Sequence, residues 1–269
     1  MSKKTLFGGV LAVVAVLGIV VWWFVFNGDA PDEVSVDAAS AQLDEDLAAA
    51  AGDDSDDGGS DDDAVPDDAV PDDAVPDDAV PDDGDVNATW IIDDEIGSFD
   101  FETASGSFAG FRVDEELTVG AVVAVGRSGG VTGALTIEGG SLTAANIVVD
   151  MTTIISNDQR RESAIRRTID ASSFPTASFT LTQPVELPAG LADGEIVTVA
   201  AVGDLTIAAT TNEATFTITA VLRADGFGIV TGSAGMVWQD FGITPPSAPV
   251  VVSIADEGVI EFQLIVTKG

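Results

Sequence analysis

MTTIISNDQRRESAIRRTIDASSFPTASFTLT, Met151 to Thr182, is the stretch whose reading decides the fold. It carries the one clear helix signal in the last two thirds of the chain. It also holds four of the eight basic residues beyond Lys4. Asn157 is placed to cap a helix, with Asp158 and Glu162 near its positive end. Ile165 and Ile169 lie four apart and so share one face. The run Ser172-Ser173-Phe174-Pro175 is expected to stop the helix, because proline disfavours helical geometry in the residue before it. Strand alternation then returns, with Phe179 and Leu181 on one side and Ser178, Thr180 and Thr182 on the other.

Outward from this helix the pattern is short strands punctuated by glycine and polar turns. Strands are predicted at Trp90–Asp93, Ser98–Thr103, Gly133–Glu138, Ser141–Met151, Ala177–Thr182, Ile196–Ile207, Ala214–Arg223, Phe227–Val237, Val250–Ala255 and Val259–Val266. From Ala214 onward the phase is clearest. Phe216, Ile218, Ala220 and Leu222 face one way, and Thr215, Thr217 and Thr219 the other. Antiparallel strands with one wet face make a sandwich or a closed barrel, and periodicity alone does not choose between them.

Four motifs in order add to this pattern. They are Ile155-Ser156-Asn157-Asp158-Gln159-Arg160-Arg161-Glu162, then Ser173-Phe174-Pro175-Thr176-Ala177-Ser178-Phe179, Gly203-Asp204-Leu205-Thr206-Ile207, and Trp238-Gln239-Asp240-Phe241-Gly242-Ile243. Together they resemble the YceI-like family over roughly Thr89 to Lys268. Trp238 stands where that family usually has Arg, and the family's usual His residues near the helix are missing. The resemblance implies an all-β fold: an extended, lipocalin-like antiparallel barrel of about eight strands, with the short Asn157 helix beside it. It further implies binding of a polyisoprenoid or similar amphiphilic lipid, and a homodimer.

Charge divides the chain. The formal net charge is −36. Asn27 to Asn87 holds 23 acids and no Lys or Arg, and Thr89 to Gly269 another 23 acids against 8 bases. Such a surface repels phosphate backbones, which excludes nucleic acid as a partner. Residues 88–269, about 180, are ample for one barrel domain with a real core. There is no Cys, hence no disulfide and no lipoprotein anchor, and no His, the commonest general base and metal ligand.

Residues 1–28 read as a cytoplasmic tip and a single transmembrane helix. Lys3 and Lys4 precede the apolar run Leu6–Phe26, long enough to cross about 30 Å of hydrocarbon, with Trp22 and Trp23 at its far end. The basic side stays inside, so the C-terminal domain is expected on the periplasmic or cell-wall side of the cell membrane. A cleaved signal peptide is the competing reading, although its apolar core is normally about 7–15 residues. Residues 29–87 read as a disordered acidic linker containing four tandem Ala-Val-Pro-Asp-Asp units, Ala64 to Asp83. Within it, Ser40–Ala51 has the composition of a brief helix. As a stalk, the repeats alone reach up to about 60 Å.

Catalytic readings fail on chemistry. Gly126-Arg127-Ser128-Gly129-Gly130 matches a nucleophile elbow, but that motif needs a His partner and a strand-to-helix turn. It reads instead as a glycine-rich β-turn. The acid-rich run at Asp53 lacks the closing Glu of a calcium loop, so no metal site is assigned. No catalytic residue and no cofactor follow from the sequence, and the protein is read as a non-enzyme.

A small barrel with an apolar bore holds one elongated ligand. Candidate lining residues are Phe101, Ile147, Val149, Phe179, Leu181, Phe216 and Ile218, for which ordinary core filling is the competing reading. Arg160, Arg161, Arg166 and Arg167 are candidates for a pyrophosphate headgroup, since guanidinium suits bidentate phosphate contact. An i,i+4 pair between Glu162 and Arg166 is the plainer account of part of that cluster. The alternative to a lipid binder is a structural or adhesive β-module with a filled interior, carried on an acidic stalk.

Overall fold

A computed structural model describes residues 30–53, 85–157 and 159–269. The predicted membrane-crossing run Leu6–Phe26, the Ala-Val-Pro-Asp-Asp repeats and Asp158 lie outside the described residues, as does the side chain of Arg160. Among the described residues no helix is long and apolar enough to cross a membrane.

The strands are β1 (Thr89–Ile92), β2 (Phe108–Leu117), β3 (Gly120–Ser128), β4 (Val131–Glu138), β5 (Ser141–Asp150), β6 (Ile155–Ser156), β7 (Thr176–Leu181), β8 (Val185–Glu186), β9 (Val197–Ile207), β10 (Thr210–Leu222), β11 (Gly228–Val237), β12 (Val251–Ile254) and β13 (Glu257–Lys268). All pairings are antiparallel, and the sheet closes on itself. β13 pairs along one edge with β11. Along the other edge it pairs first with β2 and then with β1. β1 and β2 act as one interrupted stave. β3 runs on into β4, and β5 into β6. With β7, β9, β10, β11 and β13 these make eight staves, and among the described residues closure leaves no long unpaired edge.

Four strands escaped the sequence reading, the two-residue β6 and β8 and the long pair β2 and β3. The hairpin β2–β3 pairs Ala109 with Ser128 through to Leu117 with Gly120. It includes Gly126, Arg127 and Ser128, so the predicted glycine-rich turn there is in fact the end of a strand. The predicted strand Ser98–Thr103 does not form. Asp93 Oδ1 accepts from the Glu95 and Ile96 amides, and Asp100 Oδ1 from the Glu102 amide. Such side-chain bonds to the local backbone favour turns over ladders. The loop between β1 and β2 folds flat on the outer wall, where Gln263 Nε2 donates to the Ala104 and Gly106 carbonyls at 3.0 Å.

Within the linker expected to be disordered over residues 29–87, the brief helix read at Ser40–Ala51 forms, and it is longer than its composition suggested. α1 (Val36–Asp53) is an 18-residue helix docked on the outside of the barrel. Val36, Ala39 and Leu43, with Leu47 partly buried beside them, pack against the outward side chains Ile229 and Ile265. Their spacing of three, four and four residues makes one apolar stripe. Ser98 and Ser105 hydroxyls donate to Asp46, and Arg223 pairs with Asp44 at 2.6 Å.

The second helix, α2 (Gln159–Thr168), ends earlier than Pro175 requires. Asp170 takes the left-handed conformation, φ 49°. The Ala171 amide bonds the Arg166 carbonyl at 2.9 Å and the Asp170 amide the Arg167 carbonyl at 3.2 Å. This is a Schellman cap with Asp in place of Gly, tolerated because a short polar side chain satisfies itself locally. Ser173 and Ser172 donate to the Asp170 carboxylate and hold it below the usual carboxylate range.

Candidate ligand-binding bore

Alternation along the staves decides what the interior sees. On β13, Ile260, Phe262 and Leu264 point in, whereas Glu261, Gln263 and Ile265 point out. On β2, Phe111, Val113 and Glu115 line the interior. The result is a cavity of about 200 Å³ with an almost wholly apolar wall.

One end is closed. Leu135, Leu142, Ala145 and Leu264 border the cavity there and pack into a core with Trp90, Leu191, Val197 and Leu222. At the other end α2 contributes wall: Arg161, Ala164, Ile165, Thr168 and Ile169 border the cavity, together with Ile243, Pro245, Pro246 and Ile254. Ile165 and Ile169 thus share a face as their spacing predicts, and α2 forms part of the bore rather than lying beside it.

Glycines give the aromatic side chains room to lie against the wall. The Phe262 ring covers Gly232, the Phe111 ring covers Gly126, and Trp238 covers Gly258. In each case a built Cβ would stand 2.1–2.6 Å from the ring. Phe179, Phe216 and Phe262 form a chain of contacts, with centroids 5.1 Å and 5.6 Å apart. The ring-over-glycine arrangement keeps large apolar area on the wall and out of the middle of the bore.

Six of the seven predicted lining residues, Ile147, Val149, Phe179, Leu181, Phe216 and Ile218, border the cavity. Phe101 does not. It sits in the loop on the outer wall, where its carbonyl accepts from Arg127 Nη1 at 3.2 Å. The three arginines whose side chains are described are separated. Arg161 borders the cavity, pairs with Glu115 at 3.1 Å and donates to Asn157 Oδ1. Arg166 donates to the Ile154 carbonyl at 2.8 Å and lies 3.7 Å from Glu162, so the i,i+4 pair forms. Arg167 is exposed.

A second polar group was missed altogether. On the outer wall Glu261 is 1% exposed and receives Arg112 Nε at 2.7 Å and Arg127 Nη2 at 2.9 Å. Arg127 also lies over the Phe108 ring, 4.5 Å from its centroid. Burial pushes the Arg127 guanidinium below its usual pKa, and Glu261 opposes that shift. Arg112 Nη2 donates to the carbonyls of Pro31 and Asp32, and Arg127 Nη2 to that of Asp32. The cluster joins the barrel to the segment ahead of α1. It faces away from the bore.

Among the described residues no group of three or more His, Cys, Asp or Glu side chains is placed to hold a metal ion.

The fold and its interior define an eight-stranded antiparallel closed barrel with an apolar bore and two short helices. The model of the YceI-like domain matches residues 99–266, and the chain belongs to that family. A polyisoprenoid-binding domain from Saccharophagus degradans, implicated in plant cell wall breakdown, is similar in structure, with TM-score 0.51 and 16% identity over 68% of this chain and 99% of that one. Burkholderia cenocepacia BcnA gives TM-score 0.46 and 17% identity over 59% and 94%. A Campylobacter jejuni YceI protein gives 0.40 and 13% over 52% and 82%. No curated protein matches the chain.

Proposed function

We propose that the barrel binds a polyisoprenoid or similar amphiphilic lipid, with the apolar chain in the bore and the polar end at the α2 rim. The observation that carries this is the unfilled apolar cavity, open to α2 and floored by Leu135 and Leu142. A structural β-module needs its interior filled, and this one leaves about 200 Å³. Each buried methylene contributes about 0.8 kcal/mol, so a five-carbon prenyl unit supplies up to about 4 kcal/mol before ordering costs. Apolar lining alone is then enough for affinity, and no reacting group is required. The polyisoprenoid-binding domain with the same fold supports the choice of ligand class. Arg161 is the headgroup candidate, because it alone of the described arginines borders both cavity and solvent. The apolar run Leu6–Phe26 supports tethering of the barrel to the extracytoplasmic face of the membrane, next to its lipid source.

Native mass spectrometry of the full chain, purified from membranes and released from detergent, tests the reading. The expected result is a co-purifying species with isoprene mass spacing. A protein that remains empty after incubation with prenyl quinones and prenyl phosphates overturns it.

A further inference from the structure

Which way the bore faces follows from the segment docked ahead of the acidic repeats. Pro31 and Asp32 are held by Arg112 and Arg127, level with Val259 to Glu261 in the β13 ladder. α1 then runs toward the closed end, contacting Ile265, Ile229 and Phe227 and reaching Arg223. The chain therefore arrives from the rim side. Between the apolar run and Ala30 stand only Asn27, Gly28 and Asp29. Four Cα steps span at most about 14 Å. From Arg112 along β2 to Thr118 at the hairpin tip is about 20 Å at 3.3 Å per residue, or about 15 Å in height at the usual barrel tilt. The two lengths match. To bring the closed end to the same plane, the chain would have to double back over α1.

The repeats consequently do not separate barrel from apolar run. They join the end of α1 to β1, two points on the same barrel, so the long stalk of the sequence reading does not apply.

An independent observation lies at the rim. Val119 at the β2–β3 tip is 43% exposed, Val250 51%, Val252 63% and Phe174, which follows α2, 37%. Val119 and Val250 are braced together, since the Thr118 amide donates to the Val250 carbonyl at 2.9 Å. β12, carrying Val252, pairs with the end of β2. Large apolar side chains on loops around a cavity mouth mark an interaction face. Asp240, Asp256 and Glu257 stand at the same end as Arg161, Arg166 and Arg167 of α2, so the rim carries both signs of charge beside its apolar side chains.

We propose that this rim docks on the bilayer from which residues 6–26 emerge, inserting Val119, Val250, Val252 and Phe174 so that the bore opens onto the lipid surface. Each side chain adds little, and the short tether makes the contact intramolecular, which raises the local bilayer concentration enough for a weak face to engage. The inference rests on the tethering part of the proposed function and adds an orientation to it.

The chain has no cysteine, so single-cysteine labelling is clean. The full chain is reconstituted into phosphatidylcholine vesicles with bimane at Val252→Cys or, at the opposite end, Ile196→Cys. Quenching by spin-labelled lipid is then measured. The expected result is at least fivefold stronger quenching at position 252 than at 196. Leu43→Asp, which releases α1, should bring the ratio close to one, and Val119→Asp should weaken quenching at 252 with α1 still docked. Equal quenching at both positions overturns the proposal. So does a position-252 label shielded from aqueous iodide yet untouched by lipid quencher, which would identify a protein partner. A chain that fails to co-float with vesicles overturns the tether and the orientation together. A lipid-loaded barrel with an unquenched rim sinks the orientation alone and leaves the bore's function standing.

Discussion

Gly232→Ala adds one methyl group to the inner wall, and its effect can be worked out in advance. Gly232 lies directly opposite Phe262 in the β11–β13 ladder. A Cβ there would stand 2.4, 2.7 and 3.2 Å from three atoms of the Phe262 ring, its three nearest neighbours. Ordinary carbon contacts are about 3.5–4.0 Å, so the ring must retreat by about 1 Å. Phe216 backs Phe262 at 5.6 Å and is itself packed on Phe179, so the free direction is into the cavity. Overpacking of this kind costs about 1–3 kcal/mol. Lost backbone freedom in the unfolded chain returns about 0.4–1 kcal/mol. The net expectation is a destabilisation of about 1–2 kcal/mol in urea unfolding of the chain from Ala30 onward, with an unchanged m-value. Phe262→Leu in the Gly232→Ala background should recover much of the loss, giving a coupling of about 1 kcal/mol in a double-mutant cycle. Because the ring moves into the bore, the lipid-loaded fraction should fall as well. A neutral Gly232→Ala with no coupling to Phe262 would falsify the idea that glycines set the width of the bore.

Glu261→Ala strands two arginines, one of them buried, and should cost about 3–5 kcal/mol in urea unfolding; a loss under about 1 kcal/mol would mean the cluster is solvated. Arg161→Ala should raise the Kd for a prenyl pyrophosphate about 10- to 150-fold, the worth of about 1.5–3 kcal/mol for a charged hydrogen bond, and leave a prenyl alcohol unchanged. Isothermal titration with both ligands separates a headgroup contact from a general loss of fit. Hydrogen bonds from Ser105 and Ser98 lower the Asp46 pKa from 3.8 in the folded chain. A depressed carboxylate pKa stabilises above the unfolded value and is lost as pH falls through the folded one, so the protection of α1 amides, taken relative to their intrinsic exchange rates, should fall below about pH 4. Ser105→Ala should remove most of that pH dependence.

What the sequence disclosed was whatever alternates cleanly. β10, with Phe216 and Ile218 against threonines, was legible from its period, and so was the shared face of Ile165 and Ile169. The β2–β3 hairpin was not. Its outward face carries Arg112 and Arg127, and its inward face mixes Phe111 with Glu115 and Gly126, so neither face reads as apolar. The strand predicted at Ser98–Thr103 makes Phe101 a lining residue. The Asx turns at Asp93 and Asp100 bend that segment onto the outer wall instead. Of α1 only the Ala/Leu-rich part, Ser40–Ala51, was legible; its docking was not, since the apolar stripe Val36, Ala39, Leu43 and Leu47 is interleaved with Asp37, Asp44, Glu45 and Asp46 in a strongly acidic segment.

The distribution of arginine explains why an acidic segment folds onto an acidic barrel. The chain has seven arginines, and four of them lie in α2. The remaining three are Arg112, Arg127 and Arg223, and each engages residues 30–53: two through the Pro31 and Asp32 carbonyls, one through Asp44. Arg223 is held above its usual pKa by hydrogen bonds to Asp225 and Asp44. Exposed pairs of this kind add little stability alone. Their placement sets where α1 docks, because Arg112 and Arg127 hold the segment ahead of it and Arg223 its second half on either side of the outward pair Ile229 and Ile265. Apolar burial then supplies the energy of docking and the arginines supply the address. Removing Arg223 should therefore loosen the C-terminal half of α1 far less than Leu43→Asp does, while Arg112 and Arg127, which serve both Glu261 and the strap, should affect the barrel and α1 together.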